Sequence, residues 1–554
     1  MLLGIDVGGT FTDAVILDQG RIVAAAKSET THGNLLEGIL SATDQVLSGI
    51  DKGELTRVAL STTIVTNALV EGRTDQVGLM LMAGPGMDYT GLLPAEPRLL
   101  TGYIDHRGRE VAEPNKAEVL AACQNTGSQV FAVAGKFAVR NPAHEQTVAG
   151  WLQKAAQPLH ISLSSQVSGS LNLWRRANSA YYNAAVWRHF GSFADAVEQA
   201  LTQRGITAPV YILKADGGTM PLALSRLQPV EAIFTGPAAS VLGIMALTST
   251  AGQAISLDIG GTTTDIALWQ DGKPLFAHNG ARIAGFPTSV QAFRLKSVGI
   301  GGDSFIRREN GLLKVGPQRV GPAMAVGGNQ PALSDALIVA GLASFGSLER
   351  AMEAVRQFAA PGQGVEAAAE EALALAADEI CRAALAMIEE QAAEPVYKVN
   401  DIIHQEPLQP GQVIGIGGAA AGLAPLVARQ MGIACQVPEH AAVANAIGAA
   451  VAKPTMEITL RADTTQGYYT VAELGVKQKL AGRNIRLEQA RQLAAQHLTE
   501  RAAAAGIPAE HVETVYEEEF NLVRGFNTTG RIITCRLQIK PGVLADLRQK
   551  GETL

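Results

Sequence analysis

The chain has 554 residues, of which 47% are hydrophobic and 18% are charged. This length predicts three or four domains, and the apolar content excludes a disordered chain. The net charge of −7, without a stripe of Lys and Arg, argues against nucleic acid as the main partner.

The chain opens with a predicted antiparallel meander, with strands over residues 2–7, 14–17 and 21–27 separated by two Gly-containing turns. The same layout returns near the middle, with strands over residues 254–259 and 266–269. The octapeptides at 6–13 and 258–265 are identical at six of eight positions, at an offset of 252 residues. This repeat predicts two structurally similar halves, each of which opens with a hairpin.

The uncharged stretch 235–257 is long enough to span a membrane, but small polar residues interrupt it. A buried helix followed by a buried strand is the better interpretation, and no membrane partner is expected. The first apolar run is interrupted by Asp6 and has no basic region before it, which is unlike a signal peptide. Four scattered cysteines without a CxxC pair fit a reducing, cytoplasmic compartment and argue against a structural zinc site.

Other periodic segments fill the space between and after the two hairpins. Helical spacing covers residues 177–203, predicted to be amphipathic, and the Ala-rich segment 366–390, whereas strands are predicted at 76–82, 129–133 and 412–416. Pro454 marks a boundary, followed by strands, one helix over 487–505 and a closing hairpin around residues 527–530. The resulting prediction is an α/β chain divided at 1–170, 171–454 and a small α+β unit at 455–554.

Each Gly-Gly-Thr turn suits a phosphate group. Glycines let the backbone approach a ligand closely, and successive N–H groups form an anion-binding nest. Asp6 and Asp258, at the strand ends, would repel phosphate unless a cation lay between them. A phosphate chain with Mg²⁺ is therefore the favoured interpretation of the repeated pair, and two ordinary tight turns with capping aspartates are the alternative.

Three further segments are candidates for a site. The cluster 415–422 lies between a strand and a helix, where an anion or nucleotide can bind, although a tight crossing or, with Glu439, a dinucleotide fold remains an alternative. The absence of G-x-x-x-x-G-K-[ST] excludes a P-loop. The turn Gly301-Gly302 ends in Asp303, and the hydroxyl-rich segment 61–67 either lines a substrate pocket or caps a helix that begins near Thr66.

Taken together, these segments resemble the ATPase superfamily of actin, sugar kinases and large heat-shock chaperones, and within it the hydantoinase A/5-oxoprolinase family. The resemblance lies in residues 4–13, 62–69, 234–239, 258–265, 297–302, 315–317 with 333–336, 416–419 and 442–449. It implies two ribonuclease-H-like halves around a nucleotide cleft. It also implies ATP-dependent opening of a cyclic amide such as a hydantoin or 5-oxoproline, with a B-type partner subunit in an oligomer.

The resemblance also implies roles for individual residues. Phosphate and nucleotide contacts are expected from Gly8, Gly9, Thr10, Thr12, Gly260, Gly261, Thr262, Thr263, Gly301, Gly302, Gly417 and Gly418. Catalytic carboxylates are expected at Asp6, Asp13, Asp258 and Asp303, with Mg²⁺ at Asp6 and Asp258, and substrate contacts at Thr62, Thr63, Thr66 and Asn67. ATP would phosphorylate the amide oxygen and so turn a poor leaving group into a good one.

The chain departs from the family pattern at three points. Leu60-Ser61 stands where members commonly have His-Gly, and Asp303 follows Gly302 in place of another glycine. The late loop reads Gly-Gly-Ala-Ala-Ala-Gly-Leu over residues 417–423, where members often have Gly-Gly-Ala-Gly-Pro-Leu-His, so its histidine is missing. Two other functions therefore stay open: an ATP-driven switch that reactivates a partner enzyme, and a small-molecule kinase.

Overall fold

A computed structural model of the chain describes residues 1–30, 35–124, 127–250, 252–278, 280–393, 408–482 and 485–548. Within these ranges the fold is mixed α/β, with two six-stranded sheets, one four-stranded sheet, one five-stranded sheet and three two-stranded ribbons. No helix in the described ranges is both long and apolar enough to cross a membrane, and the uncharged stretch 235–257 contains a buried helix and a buried strand as predicted.

The strands are β1 Leu2–Val7, β2 Phe11–Asp18, β3 Arg21–Glu29, β4 Arg57–Thr62, β5 Val77–Met82, β6 Arg98–Leu99, β7 Tyr103–Ile104, β8 Glu110–Ala112, β9 Val130–Gly135, β10 His160–Leu163, β11 Val210–Leu213, β12 Thr219–Pro221, β13 Ala254–Ile259, β14 Thr264–Gln270, β15 Lys273–Pro274, β16 Arg282–Ile283, β17 Phe286–Pro287, β18 Leu295–Val298, β19 Ser304–Glu309, β20 Leu312–Arg319, β21 Gln412–Ile416, β22 Ala434–Gln436, β23 Glu457–Asp463, β24 Tyr468–Val471, β25 Val476–Lys479, β26 Val512–Arg524 and β27 Asn527–Ile539.

The α-helices are α1 Leu35–Val46, α2 Ile64–Val70, α3 Lys116–Gln124, α4 Ala143–Ala156, α5 Ser164–Val167, α6 Leu173–Gln203, α7 Leu222–Ser225, α8 Thr235–Leu247, α9 Leu333–Val339, α10 Leu348–Phe358, α11 Val365–Ala392, α12 Ala420–Met431, α13 Ala444–Val451 and α14 Leu487–Ala504.

The predicted meander forms one edge of the first sheet, whose order is β12-β11-β4-β1-β2-β3. β1 pairs antiparallel with β2 and parallel with β4, so that Asp6 lies opposite Asp13 on one side and Ser61 on the other. The central strand β1 is buried from Leu3 to Val7, because its alternate apolar residues face helices on both sides of the sheet. The first turn therefore sits at the carboxyl end of a buried strand.

The third sheet, β15-β14-β13-β21-β22 with β18 paired to β14, repeats this arrangement. β13 pairs antiparallel with β14 and parallel with β21, and Asp258 lies opposite Asp265. The structural repeat thus extends from the octapeptides to the pairing of three strands. The predicted limits of β1, β13 and β21 agree with the structure residue for residue.

Two predictions concern the middle of the chain. β11 and β12 belong to the first sheet, so this sheet takes strands from both sides of the predicted boundary at residue 170. The predicted amphipathic helix at 177–203 is α6, which begins four residues earlier and is buried nearly all round from Arg176 to Val186. Its first half packs against both the first and the second sheet (β10-β9-β5-β6), so no solvent face remains there.

The strands after residue 454 form a separate antiparallel sheet, β25-β24-β23-β27-β26, with α14 packed on one face. The predicted closing hairpin is formed by β26 and β27. Its turn lies at Gly525-Phe526, just before residues 527–530, which already belong to β27. The other face of this sheet contacts the first half of the chain. Arg107 pairs with Asp463 at 3.3 Å, and Thr470 donates a hydrogen bond to the carbonyl oxygen of Val139.

Helices α8 and α13 cross beneath the two hairpins with their backbones in direct contact. A Cβ at Gly448 would overlap the carbonyl oxygen of Ala239, and a Cβ at Gly243 would overlap that of Ala444. A Cβ at Gly4 of β1 would likewise overlap the backbone of α13. Three glycines therefore bring β1, α8 and α13 closer together than any side chain allows.

We expect Gly448→Ala to lower the free energy of unfolding by about 3 kcal/mol, because the added methyl group has no space. The matched control is Gly191→Ala in α6, where a Cβ would meet nothing within 4 Å and the backbone is helical. That change should stabilise the chain by about 0.5–1 kcal/mol. Urea unfolding of both variants measures the difference, and equal effects at the two glycines would contradict the close crossing.

Candidate functional site

The two Gly-Gly-Thr turns face each other across the space between the first and third sheets. A Cβ added at Gly261, in the second turn, would lie 3.3 Å from the hydroxyl oxygen of Thr10, in the first turn. The same position is 3.0 Å from Oδ2 of Asp303. The sequence-predicted turns and Asp303 are therefore brought together at one place.

The glycine segments pack against one another behind the second turn. The N–H groups of Gly302 and Asp303 donate to the carbonyl oxygens of Gly260 and Gly261 at 2.9 and 2.6 Å. A Cβ at Gly301 would lie 2.6 Å from the carbonyl carbon of Gly261. Gly417 has a φ of 94°, and its Cβ would lie 2.6 Å from Oδ1 of Asp258, so both geometry and space require glycine there.

Two of the predicted glycines have open space in front of them. Gly9 and Gly418 are exposed, and a Cβ at either position would meet nothing within 4 Å. The turn that contains Gly9 is held from behind by Thr30, whose N–H donates to Thr10 O at 2.9 Å and whose hydroxyl donates to Gly8 O at 3.0 Å. Backbone N–H groups in such fixed turns suit an anionic ligand.

Thr12 does not lie on the open side of the first turn, contrary to the predicted phosphate contact. Its side chain is fully buried, and its hydroxyl lies 3.1 Å from that of Thr30. Thr264 is its equivalent in the second hairpin and likewise donates inward, to Ile300 O at 2.7 Å. Thr10, Thr262 and Thr263 are at least partly exposed and remain available to a ligand.

The carboxylates of the first hairpin are held in different ways. Burial raises the pKa of Asp6 from 3.8 to about 7, with the charges of Asp13 and Asp258 adding to the rise and the nearby side chains of Ser61 and Asn445 opposing it. Among the described residues, Oδ1 of Asp6 receives no hydrogen bond although it is buried. Asp13 pairs with Lys27 at 2.9 Å, which opposes the effect of burial on its pKa.

The carboxylates of the second hairpin have neutral donors. Asp258 accepts hydrogen bonds from the Ser240 hydroxyl and, at 2.9 Å, from Nδ2 of Asn445, and these oppose the rise in pKa caused by burial. Asp265 accepts a hydrogen bond from Ser297, yet burial and the charge of Asp258 raise its pKa to about 7.

Asp303, the last of the predicted catalytic carboxylates, has a cationic partner. Nε of Arg319 donates to its Oδ2 at 3.0 Å. Burial raises the pKa of Asp303, and Arg319 opposes that rise. The ion pair with Asp303 thus holds the guanidinium group of Arg319 close to the second turn.

Sequence reasoning placed Asn445 in segment 442–449 of the family resemblance but gave no role to this amide, which faces both turns. It donates to Asp258 and also lowers the pKa of Asp6, so one side chain serves a carboxylate from each hairpin. Asn445 lies on α13, whose other residues are Ala, Ile, Gly and Val. A lone polar side chain in such a helix was the available signal. No comparable sequence signal marked the other partners of the site carboxylates, which are Ser240, Lys27, Ser297 and Arg319.

The hydroxyl-rich segment beside the first hairpin is tied to the start of α8. Thr235 donates to Thr62 O and accepts from Thr62 N, both at 2.8 Å, and Thr66 accepts from Phe234 N at 3.3 Å. Helix α2 begins at Ile64, two residues before the start that the sequence predicted. The N–H of Ile64 donates a hydrogen bond to Oγ1 of Thr62 at 3.2 Å. Thr62 thus has the capping role.

Thr63 and Asn67 lie on one side of α2, half-buried. Nδ2 of Asn67 donates to the Thr63 hydroxyl at 3.2 Å. Because β4 runs parallel to β1, the segment containing them leaves the first sheet next to the first turn. Of the four predicted substrate contacts, these two have the fewest bonds to the rest of the fold.

The carboxylates of Asp6 and Asp258 suit a metal ion that takes most of its other ligands from water and phosphate. Within the described ranges, no group of three or more His, Cys, Asp or Glu is arranged to hold a metal ion. Mg²⁺ is usually held by one or two carboxylates with waters and phosphate oxygens, and does not need such a group. The buried Asp6 Oδ1, which receives no hydrogen bond from the part of the chain that the structure describes, therefore fits a Mg²⁺ ligand beside Asp258.

Comparisons with known proteins identify the chain's relatives. A family model described as Hydantoinase/oxoprolinase matches residues 176–458, and one described as Hydantoinase/oxoprolinase N-terminal region matches residues 2–156. Caprolactamase subunit alpha of Pseudomonas jessenii is 27% identical over 385 residues, which is 62% of this chain and 55% of that protein. The chain thus spans about half the length of the first curated relatives it matches.

Two solved structures share the fold along nearly the whole chain. The ATP-dependent caprolactamase from Pseudomonas jessenii has a TM-score of 0.70 and 22% identity, covering 99% of this chain and 88% of that one. A nucleotide-free acetone carboxylase, from work on ATP-dependent acetone carboxylation, has a TM-score of 0.71 and 18% identity, covering 98% and 88%.

We expect Asp265 to make the ligand-free chain less stable as the pH rises from about 4 to 7. In this range the folded carboxyl keeps a proton that the unfolded carboxyl has lost, because its pKa rises from 3.8 to about 7 on folding. The free energy of unfolding should fall by up to about 1.4 kcal/mol per pH unit in this range. Asp265→Asn should flatten the curve of unfolding free energy against pH, measured with urea at several pH values.

The matched control is Asp271→Asn, at an exposed turn position beyond the same strand, which should leave the slope unchanged. Parallel curves for Asp265→Asn and the unmodified chain would show that burial does not raise the pKa of Asp265.

Proposed function

Since the chain belongs to the hydantoinase/oxoprolinase family, we propose that it is the ATP-binding subunit of an enzyme that opens a cyclic amide. One observation carries this proposal: two carboxylate-bearing Gly-Gly-Thr turns face each other, and the Asn445 amide serves both Asp6 and Asp258. This arrangement suits a polyphosphate held from two sides. A hydantoin, 5-oxoproline or a simple lactam is the proposed substrate class.

The nucleotide would lie in the cleft between two actin-like halves, built around the first and third sheets. Its phosphates would meet the backbone N–H groups of Gly9 and Gly418 and the hydroxyls of Thr10, Thr262 and Thr263. This placement is supported by the open space in front of the two glycines. The remaining glycines, packed against one another, would give the cleft its shape.

Asp6 and Asp258 would hold Mg²⁺, which neutralises phosphate charge when it is bound. The proposal is supported by the buried Oδ1 of Asp6, which lacks a hydrogen-bond donor in the described chain. Two cationic side chains reach the same cleft through their carboxylate partners, Lys27 through Asp13 and Arg319 through Asp303. They would balance part of the negative charge of the triphosphate.

The chemistry follows from activation of the amide oxygen. The lactam oxygen attacks the γ-phosphorus of ATP, the P–O bond to ADP breaks, and an imidoyl phosphate forms. Water adds to the activated carbon, and the ring C–N bond breaks as the nitrogen takes up a proton. A second water then releases inorganic phosphate from the acyl phosphate, so one ATP and two waters give the open amino acid, ADP and phosphate. The two turns would contribute positioning and charge stabilisation.

Thr63 and Asn67 are the proposed contacts of the cyclic amide, since α2 begins beside the first turn. An amide oxygen and a ring N–H need one donor and one acceptor, and an Asn side chain carries both. Thr62 and Thr66 would act indirectly, because their hydroxyls are used to hold α2 and α8.

We expect ATP hydrolysis by the chain, mixed with a B-type subunit of the family, to rise at least about tenfold when the correct lactam is added. Hydantoin, 5-oxoproline and caprolactam are the substrates to compare, with phosphate release and the ring-opened product measured together. Asp258→Asn should remove the stimulated rate, whereas Asp271→Asn should keep it.

Other products would point to other functions. A phosphorylated metabolite without ring opening would identify a kinase, and carboxylation of a ketone would identify a carboxylase. ATP turnover stimulated by a partner protein alone would identify a reactivating switch. Each of these results would overturn the cyclic-amidase proposal.

We also expect Asn445→Ala to weaken Mg²⁺–ATP binding by about ten- to a hundredfold near pH 7, the usual loss for a hydrogen bond to a charged group. Removing the amide should raise the pKa of Asp6 and Asp258, so the loss should be smaller at pH 8.5 than at pH 6.5. Titration calorimetry measures both affinities. Asn521→Ala, on an exposed strand, is the control, and a loss that does not vary with pH would contradict the shared amide.

A further inference from the structure

The strand β26 forms an open edge of the C-terminal sheet. It is 13 residues long and pairs only with β27 among the described strands, so no described strand covers the backbone N–H and C=O groups of its other edge. Long, regular edges of this kind accept an additional strand from another chain unless something blocks them. Proline, the strongest block, is absent from β26.

Large apolar side chains lie along this edge and at its tip. Phe520 and Val523 are 54% and 62% exposed, and Phe526, in the turn between β26 and β27, is fully exposed. Phe520 lies opposite Ile532, so both share the sheet face that does not carry α14. An exposed strip of aromatic and branched side chains beside an open strand edge is typical of a protein contact surface.

The charge of β26 argues against a second copy of this chain as the partner that binds this edge. The strand carries four glutamates and one arginine, and Glu518 lies at its midpoint. Antiparallel pairing of two copies about that midpoint would bring the acidic residues 517–519 of each strand together. Glu517 and Glu519 are paired with Arg491 and Arg531 within the chain, but like charges would still meet across the new contact.

We propose that β26 is the docking edge for a different subunit, which adds a basic extended strand beside residues 512–524 and covers Phe520 and Phe526. The identification of the occupant as a subunit rests on the proposed function, in which the chain works with a partner. Charge complementarity to the acidic edge sets the register, and the two phenylalanines supply most of the affinity.

A strand peptide can test the edge without the natural partner. The probe is a fluorescein-labelled dodecapeptide that alternates Val and Lys, with a Val/Glu peptide and a Val/Lys peptide interrupted by two prolines as comparisons. We expect the full-length chain to bind the basic peptide at least about tenfold more tightly than either comparison, measured by fluorescence anisotropy. Backbone amides of β26 should exchange more slowly with deuterium when the basic peptide is bound.

The double variant Phe520→Ser and Phe526→Ser should lose this preference, whereas Phe345→Ser, at an exposed phenylalanine elsewhere, should keep it. Equal binding of the interrupted peptide would overturn strand addition. A dimer of the unmodified chain in sedimentation that Phe526→Ser dissociates would show that a second copy occupies the edge, and would also overturn the proposal. No nucleotide is used, so failure here leaves the cyclic-amidase proposal intact.

Discussion

The site depends on one constraint, which is the free-energy cost of burying several carboxylates close together. Asp6, Asp13, Asp258 and Asp265 come from two hairpins far apart in the chain, yet their charges act on one another. Neutral donors and Lys27 offset only part of this cost, and the pKa of Asp6 stays near 7. This unrelieved cost is the physical reason for proposing that a cation binds beside the cluster.

The rest of the fold keeps these charges close together. β1 and β13 are buried central strands that end at the two turns, and the glycine contacts among β1, α8 and α13 join the sheets that carry them. Asn445 extends from the same crossing to the carboxylates. The short helix α13 therefore carries both the close backbone contact and the amide that binds the carboxylates. A substitution in α13 should affect stability and ligand binding together.

Much of this arrangement could be predicted from the sequence, because it is local. Strand–turn–strand patterns and a repeated octapeptide fixed the limits of β1 and β13, and the repeat also indicated that the turns act as a pair. The inward direction of Thr12 could not be predicted, since it depends on α1 covering that face. Asn445 lies 187 residues from Asp258, and no local pattern links them. The exact position of the closing turn, at Gly525-Phe526, was missed because the polar residues that follow it look more like a turn.

The crossing of α8 and α13 also limits how the cleft can open. Where helices are separated by side chains, one can slide along the other by small changes of rotamer. At Gly448 and Ala239 no side chain separates the backbones, so sliding would drive a carbonyl oxygen into the neighbouring main chain. Rotation about this point would keep the contact. Any movement of the two sheets relative to each other would therefore be a rocking motion about the crossing, which would change the distance between the two turns and leave the two helices in contact.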